Sequence, residues 1–224
     1  MANGVVAKKR VAILISGRGS NMEALVAAAA GDRYPAQIVT VLANRPDAPG
    51  LARATAAGVP TGVVDHRLFG GDREAFERAL QAELEPRGVE FICLAGFMRL
   101  FSPWLVERWQ HRMLNVHPAL LPAFKGLNTH ARALAAGVKI HGATVHLVVA
   151  EMDSGPILTQ AALAVHDDDT PESLAARVRR LEHRIYPLAL KLLAAGRVRI
   201  ADGRCSLAGV SGGEDVLISP GLAQ

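Results

Sequence analysis

The sequence predicts an α/β fold in which one mostly parallel, twisted sheet is covered by helices on both faces. The first observation is alternation, because short apolar runs rich in β-branched residues are followed by segments of helical spacing, as in chains of βα units. The second is size, since half of the 224 residues are hydrophobic and can bury the core of one domain. The third is continuity, because no linker-like stretch or internal repeat divides the chain.

Five strands and four helices are expected in the first half of the chain. The predicted strands lie at 10–16, 36–44, 60–65, 89–97 and 112–116, and the helices between them at 21–30, 48–58, 72–84 and 102–110. The last of these helices opens with Ser102 and Pro103, a typical helix start. The strand at 89–97, which is apolar except for Glu90, indicates burial on both faces of a parallel sheet.

The pattern changes after Pro122, where a loop leads into a further helix. Residues 143–165 then alternate in two arms around "EMDSG", which predicts a hairpin with a wide connection. A long helix is expected at 170–196, with Thr170 as its N-cap and a kink at Pro187. A short strand, "RVRI", is expected after it, and the weakly patterned tail that follows is expected to be mobile.

The composition argues against several classes of function. The formal net charge is +4 and only 4% of the residues are aromatic, so the chain lacks the basic stripe with interleaved aromatic side chains that nucleic-acid binders show. The same mild positive charge suits anionic small substrates. No apolar run is long enough for a membrane span, and no signal segment follows Met1. Cys93 and Cys205 are expected to be reduced thiols of a cytoplasmic protein.

A glycine-rich loop, "SGRGSN" at 16–21, joins the first predicted strand to the first helix. Free amides at a helix start attract anions, and Ser20 and Asn21 can cap the helix and donate to phosphate oxygens. A dinucleotide fingerprint would need a third glycine where Met22 stands, and the second strand lacks the acidic residue that would bind ribose. The loop therefore suits one terminal phosphate, although a plain strand-to-helix turn explains it equally well here.

The segment "MLNVHPALLP" places two polar side chains, Asn115 and His117, at the end of an apolar strand. Alternate residues of a strand share a face, so both can present donors to a carbonyl oxygen that becomes an oxyanion. A carboxylate that orients the imidazole and favours its protonation would complete such a site. Asp153 in "AEMDSGPI" is the best candidate, but nothing in the spacing places it beside His117. The alternative is that Asn115 and His117 only cap the strand end.

Neither a covalent intermediate nor a metal is predicted. No Gly-x-Ser-x-Gly elbow is present, and Cys93 falls in the middle of a predicted strand, so direct transfer to an incoming nucleophile is favoured. Histidines and acidic residues crowd together only at His111 and His117, at His141 and His146, and at 167–169, without a recognised ligand spacing.

Seven motifs carry a resemblance to a known family. They are "ISGRGSN", "LAGFMRLFSP", "LNVHPALLP", "GLNTH", "HGATVH", "EMDSGPIL" and "LEHRIYP", in that order. Over roughly residues 10–200 the chain resembles the phosphoribosylglycinamide formyltransferases, folate-dependent enzymes of purine synthesis. The Asn-x-His-Pro motif with a later Asp is shared by the wider formyltransferase family, whereas "GRGSN" and "GLNTH" point to this member.

The resemblance implies a fold and a reaction. The fold is a single Rossmann-like formyltransferase domain at 1–200, with a phosphate-binding half at about 10–110, a folate and catalytic half at about 111–200, and a weakly structured tail at 201–224. The reaction moves a formyl group from 10-formyltetrahydrofolate to the glycinamide amine of N1-(5-phospho-D-ribosyl)glycinamide through a tetrahedral oxyanion. No metal, nucleic acid or membrane is expected, and the protein is expected to be a monomer or a homodimer.

The resemblance also implies roles for individual residues. Asn115, His117 and Asp153 match the catalytic trio. The ribonucleotide is held by the residues that match Gly19, Ser20, Asn21 and Glu182. The folate-contacting positions match Arg73, Met98, Arg99, Leu100, Phe101, Asn115, Val149, Ala150, Glu151, Met152 and Asp153. Two places depart from the family: Ala119 stands where serine is usual, with little effect expected, and Arg18 could add charge near the phosphate.

Three rival functions are considered. Formyltetrahydrofolate deformylase shares the trio but lets water attack. It carries an extra N-terminal domain, which the nine residues before Arg10 lead us not to expect here. Methionyl-tRNA formyltransferase would need a C-terminal RNA-binding domain, for which we expect no room. A nucleotide-binding dehydrogenase or regulatory module is disfavoured by the missing third glycine and by the lack of an acidic residue at the end of the strand at 36–44.

Overall fold

The computed structural model describes residues 7–209. Within them the strands are β1 (Lys9–Ile15), β2 (Ala36–Ala43), β3 (Thr61–Val63), β4 (Phe91–Leu94), β5 (Met113–His117), β6 (Ile140–Leu147), β7 (Ile157–Ala164), β8 (Val198–Ala201) and β9 (Arg204–Leu207). The α-helices are α1 (Ser20–Ala29), α2 (Gly50–Ala56), α3 (Arg73–Leu84), α4 (Pro103–Arg108), α5 (Thr129–Ala135) and α6 (Pro171–Ala194). Short 3-10 turns span His66–Phe69 and Glu85–Arg87.

Seven strands form one sheet in the order β3-β2-β1-β4-β5-β6-β7. Neighbours from β3 to β5 pair in parallel, whereas β6 runs antiparallel to both β5 and β7. The predicted mostly parallel sheet and the hairpin after Pro122 are therefore confirmed. The direction of the strand order reverses beside β1, and open α/β sheets bind ligands at the carboxyl ends of the strands at such a point.

Helices cover both faces of the sheet because successive residues of each buried strand point to opposite sides. In β1, Val11, Ile13 and Ile15 pack in the core beneath α1 and α6. Ala12 and Leu14 pack instead against α3 and α4. The continuous apolar run of β1 is thus explained by burial on both faces, as expected for a parallel sheet.

The long helix α6 begins as predicted at Thr170. The Thr170 hydroxyl accepts a hydrogen bond from the Ser173 amide at 3.2 Å, and the Ser173 hydroxyl accepts one from the Thr170 amide at 2.9 Å. This pair satisfies two backbone N–H groups at the start of the helix. Pro187 lies inside the helix without ending it. Its carbonyl accepts from the Tyr34 hydroxyl at 2.7 Å, which ties α6 to the segment before β2.

A small hairpin follows α6, in which β8 pairs antiparallel with β9. Asp202 and Gly203 both adopt positive φ, at 49° and 71°, the conformation that a two-residue hairpin turn requires. Residues 204–207, which fall in the segment expected to be weakly structured, therefore form a strand, while residues 210–224 lie outside the described residues. Within residues 7–209, no helix has the length and the apolar character that a membrane crossing demands.

Candidate active site

The glycine-rich loop leaves the carboxyl end of β1 and enters α1. Gly19, with φ of 75°, is the N-cap, so the helix has no side-chain cap and the expected capping by Ser20 or Asn21 is wrong. Those residues occupy its first two positions instead. A second helix packs closely on the loop, because the Gly50 amide donates to the Gly17 carbonyl at 3.0 Å.

The loop forms one end of a cleft of about 580 Å³ at the carboxyl ends of the strands. Arginines at 18, 45, 99 and 179 line it, and among residues 7–209 Glu182 is the single acidic residue of the lining. Arg45 pairs with Asp47, whereas within residues 7–209 the other three arginines have no ion-pair partner. The cleft is therefore strongly cationic, as a phosphate site requires.

Glu182 reaches this cleft from the middle of α6, where its side chain is largely buried. The Asn21 amide nitrogen donates to Glu182 Oε2 at 2.7 Å. Burial raises the pKa of Glu182, and the hydrogen bond from Asn21 opposes that shift. Two of the predicted substrate-binding residues, 161 positions apart, thus contact each other directly.

Asn115 and His117 lie at the end of β5, and the structure brings Asp153 to them. His117 Nδ1 lies 3.4 Å from Asp153 Oδ2. The other ring nitrogen, Nε2, is 2.9 Å from the Phe124 carbonyl, to which it donates. The Gly126 amide donates to Asp153 Oδ2 at 2.8 Å. Backbone groups of the segment after β5 therefore hold both His117 and Asp153. The neighbouring residues Val116 and Pro118 line the cleft, whereas the trio itself does not.

The connection between β6 and β7 aims Asp153 back toward β5. Asp153 adopts a left-handed φ of 53°, which is uncommon for a residue with a side chain and turns the loop sharply. Gly155 follows where a Cβ would lie 1.8 Å from the Leu147 carbonyl, so only glycine fits. The Leu147 amide donates to the Pro156 carbonyl at 2.9 Å and closes the loop at its base.

His146 is a site residue that sequence reasoning considered only as a possible metal ligand. It lies opposite Asn115 in the β5–β6 ladder. Its Nε2 is 3.2 Å from the Asn115 amide nitrogen and 3.7 Å from Asp153 Oδ1. The predicted hairpin indicated that residue 146 is in a strand, but the pairing register that puts it beside Asn115 could not be obtained from the pattern.

The positions that resemble folate-contacting residues fall into separate groups. Those at 98–101 follow β4, where Met98 and Leu100 are 70% and 60% exposed, and the Met98 amide donates to the Ser16 hydroxyl at 2.8 Å. Those at 149–153 are on the Asp153 loop, with Met152 also exposed. Arg73 begins α3 and does not line the cleft.

Three further observations bear on the predicted chemistry. Burial raises the pKa of the Cys93 thiol to about 12, so this cysteine is a poor nucleophile at neutral pH. Within residues 7–209, no group of three His, Cys, Asp or Glu side chains is arranged to hold a metal ion. Ala119, the departure from the family motif, is fully buried, and its carbonyl accepts from the Thr144 hydroxyl at 2.7 Å.

Comparison with known proteins gives concordant matches. The family model described as "Formyl transferase" matches residues 9–190. Phosphoribosylglycinamide formyltransferase of Haemophilus influenzae is 39% identical over 201 residues, which cover 90% of this chain and 94% of that protein. The trifunctional purine biosynthetic protein adenosine-3 of Gallus gallus is 46% identical over 195 residues, 87% of this chain. This chain spans only 19% of that longer protein.

Solved structures of similar fold point to the same family as the sequence matches. Glycinamide ribonucleotide transformylase 1 of Symbiobacterium toebii superposes with a TM-score of 0.86 at 43% identity, covering 89% of this chain and 94% of that one. Formyltetrahydrofolate deformylase of Burkholderia mallei superposes with a TM-score of 0.81 at 29% identity, covering 91% of this chain and 71% of that one. From the family match and the full-length relatives together, the chain belongs to the formyl transferase family.

Proposed function

We propose that this protein transfers the formyl group of 10-formyltetrahydrofolate to the glycinamide amine of N1-(5-phospho-D-ribosyl)glycinamide, a step of purine biosynthesis. The observation that carries the proposal is that the Asn115, His117 and Asp153 trio lies beside a cationic cleft. An amide, an imidazole and a carboxylate converge at the end of β5, and a cationic cleft leads from there to the glycine loop.

The glycine loop would hold the substrate phosphate. Gly19, Ser20 and Asn21 present backbone amides at the start of α1, where the helix dipole favours an anion. Arg18, Arg99 and Arg179 add positive charge to the same cleft. Glu182, directed by Asn21, would accept hydrogen bonds from the ribose or the glycinamide portion.

The trio would stabilise the charge that develops during transfer. When the amine attacks the formyl carbon, negative charge grows on the formyl oxygen, and Asn115 and His117 can donate to it. Asp153, whose Oδ2 lies 3.4 Å from Nδ1 of the ring, would hold the imidazole in place and offset positive charge that develops on it during transfer. His117 Nε2 donates to Phe124 in this structure, so a substrate oxygen at Nε2 must replace or share that acceptor. One proton leaves the amine and one reaches N10 of the folate, with His117, Asp153 and a water as the relay.

The folate would lie along the two groups of positions that follow β4 and β6. Exposed apolar side chains at Met98, Leu100 and Met152 offer an apolar contact surface, which monomeric surfaces otherwise tend to limit. Arg99, Phe101, Val149, Ala150 and Glu151 belong to the same segments, and Arg73 is a more distant member of the proposed set. We further propose a cytoplasmic location, a monomeric or homodimeric state and no requirement for a metal.

A hydrolase is the second candidate, because one protein with a similar structure is named a formyltetrahydrofolate deformylase. In a hydrolase, water would take the place of the amine. The glycine loop and the arginines of the cleft favour the transferase, since water needs no phosphate site.

An assay with 10-formyltetrahydrofolate, run with and without glycinamide ribonucleotide, tests the proposal. We expect tetrahydrofolate to form only when the ribonucleotide is present. His117→Asn should lower kcat by about 10²–10³-fold, the usual effect of losing one oxyanion donor, while KM changes little. Equal rates with water alone would indicate the hydrolase, and an unchanged kcat in H117N would refute the role of the ring.

A further inference from the structure

His146 is buried beside two members of the trio, Asn115 and Asp153. Its side chain is 3% exposed, and its Nδ1 lies 3.0 Å from the carbonyl of Leu147. Its Nε2 is 3.2 Å from the Asn115 amide nitrogen. The nearest carboxylate oxygen, Asp153 Oδ1, is 3.7 Å from Nε2, which is too long for a hydrogen bond.

These contacts define one tautomer of the ring. A carbonyl oxygen can only accept, so Nδ1 must carry a hydrogen to face Leu147. Burial lowers the pKa of His146, which favours the neutral ring. A neutral ring protonated on Nδ1 has a lone pair on Nε2, and its partner must then be a donor. The Asn115 side chain is thereby oriented with its NH₂ group, not its oxygen, toward His146.

We propose that His146 is a positioning residue that fixes the Asn115 amide so that its second N–H remains available to the formyl oxygen. This inference rests on the proposed formyl transfer. One N–H of Asn115 is used by His146, and the same nitrogen carries a second hydrogen. Without the acceptor at Nε2, the amide is free to rotate by half a turn and to present its oxygen to the developing oxyanion. That oxygen would repel the negative charge that the amide hydrogen stabilises.

Two variants separate the two ring nitrogens. His146→Asn places an amide donor near the Nδ1 position, so it keeps the bond to Leu147 but loses the acceptor for Asn115. His146→Gln reaches the Nε2 position with a carbonyl oxygen, so it keeps the acceptor. We expect H146N to lower kcat about 10–100-fold, by analogy with the loss of a group that orients a metal ligand. H146Q should lower kcat far less, and KM for both substrates should change little in either variant.

A double-mutant cycle and a spectroscopic measurement complete the test. If His146 acts through Asn115, H146N should cause no further loss in an Asn115→Ala background. In the wild-type protein, ¹⁵N NMR of the imidazole at neutral pH should show hydrogen on Nδ1 and none on Nε2, a result independent of activity and of whether a variant folds. A ring protonated on Nε2, equal kcat losses in H146N and H146Q, or additive losses in the cycle would overturn the inference. A wild-type protein without formyl transfer would instead refute the proposed function.

Discussion

At the scale of single residues, the burial of the Glu182 carboxylate has a cost in stability. The residue is 8% exposed, and its carboxylate accepts one hydrogen bond from the Asn21 amide. Desolvation penalises its charged form and raises its pKa. A group whose pKa is higher in the folded state favours folding while it is protonated, and this contribution is lost as the pH rises through the raised pKa.

The substitution Glu182→Gln should therefore change the pH dependence of stability. Glutamine does not titrate, so the Tm of the wild type relative to E182Q should fall as the pH rises above 4.5, the ordinary pKa of the group. Thermal unfolding of both proteins between pH 4 and 8 measures this difference. The same variant should raise KM for glycinamide ribonucleotide. Parallel Tm curves would show that the burial of Glu182 has no energetic consequence.

At the scale of elements, the conformation of the glycine-rich loop depends on how closely α2 packs against it. A Cβ on Gly50 would lie 2.6 Å from Ile15 Cδ1 and 2.9 Å from the Gly17 carbonyl. Contacts this short cannot persist, so α2 must separate from the loop if residue 50 is larger. The conformation of the loop thus depends on a glycine that lies outside the loop itself.

Gly50→Ala should destabilise the protein by about 1–3 kcal/mol, the usual cost of overpacking, and should raise KM for the phosphorylated substrate. Gly31→Ala is the matched control, because its Cβ would meet only the Ala28 carbonyl at an ordinary 3.6 Å. We expect the control to stay within about 0.5 kcal/mol of wild type. Denaturant unfolding and substrate kinetics measure both effects. Equal stabilities in the two variants would contradict the packing argument.

At the scale of the whole molecule, α6 links the sheet to the site. Tyr186, which is fully buried, directs its hydroxyl to the carbonyls of Leu94 and Leu114 at 3.0 and 3.1 Å. These are the last residue of β4 and the residue before Asn115 in β5. One side chain therefore holds α6 against two strands while Glu182, one turn earlier, faces Asn21.

Tyr186→Phe should lower the free energy of unfolding by about 1 kcal/mol, because a buried hydrogen bond is lost where no water can replace it. Tyr34→Phe is a useful comparison, since it removes a bond to the same helix, at the Pro187 carbonyl. Tyr34 is 9% exposed, so water can replace its bond in part and the loss should be smaller. Chemical denaturation measures the loss of unfolding free energy in both variants. A loss in Y34F that equals or exceeds the loss in Y186F would contradict the prediction.

The sequence by itself determined the alternation of strands and helices and the family, because apolar periodicity and ordered motifs are properties of the chain. It also indicated Asn115 and His117 on one face of a strand end and a helix start after the glycine loop. It did not predict that Gly19 would be the N-cap or that residues 204–207 would form a strand. Both depend on backbone conformation at positive φ, at Gly19 and at Asp202 and Gly203.

Only the tertiary structure decided how the site is assembled. Asp153 meets His117 because a sharply turned loop runs back from β6, and His146 meets Asn115 because of the register of antiparallel pairing. Glu182 meets Asn21 because α6 packs across the sheet beside α1. Local spacing determines which face of an element a residue occupies. It carries no information on which distant element is packed against that face, since packing depends on the whole chain.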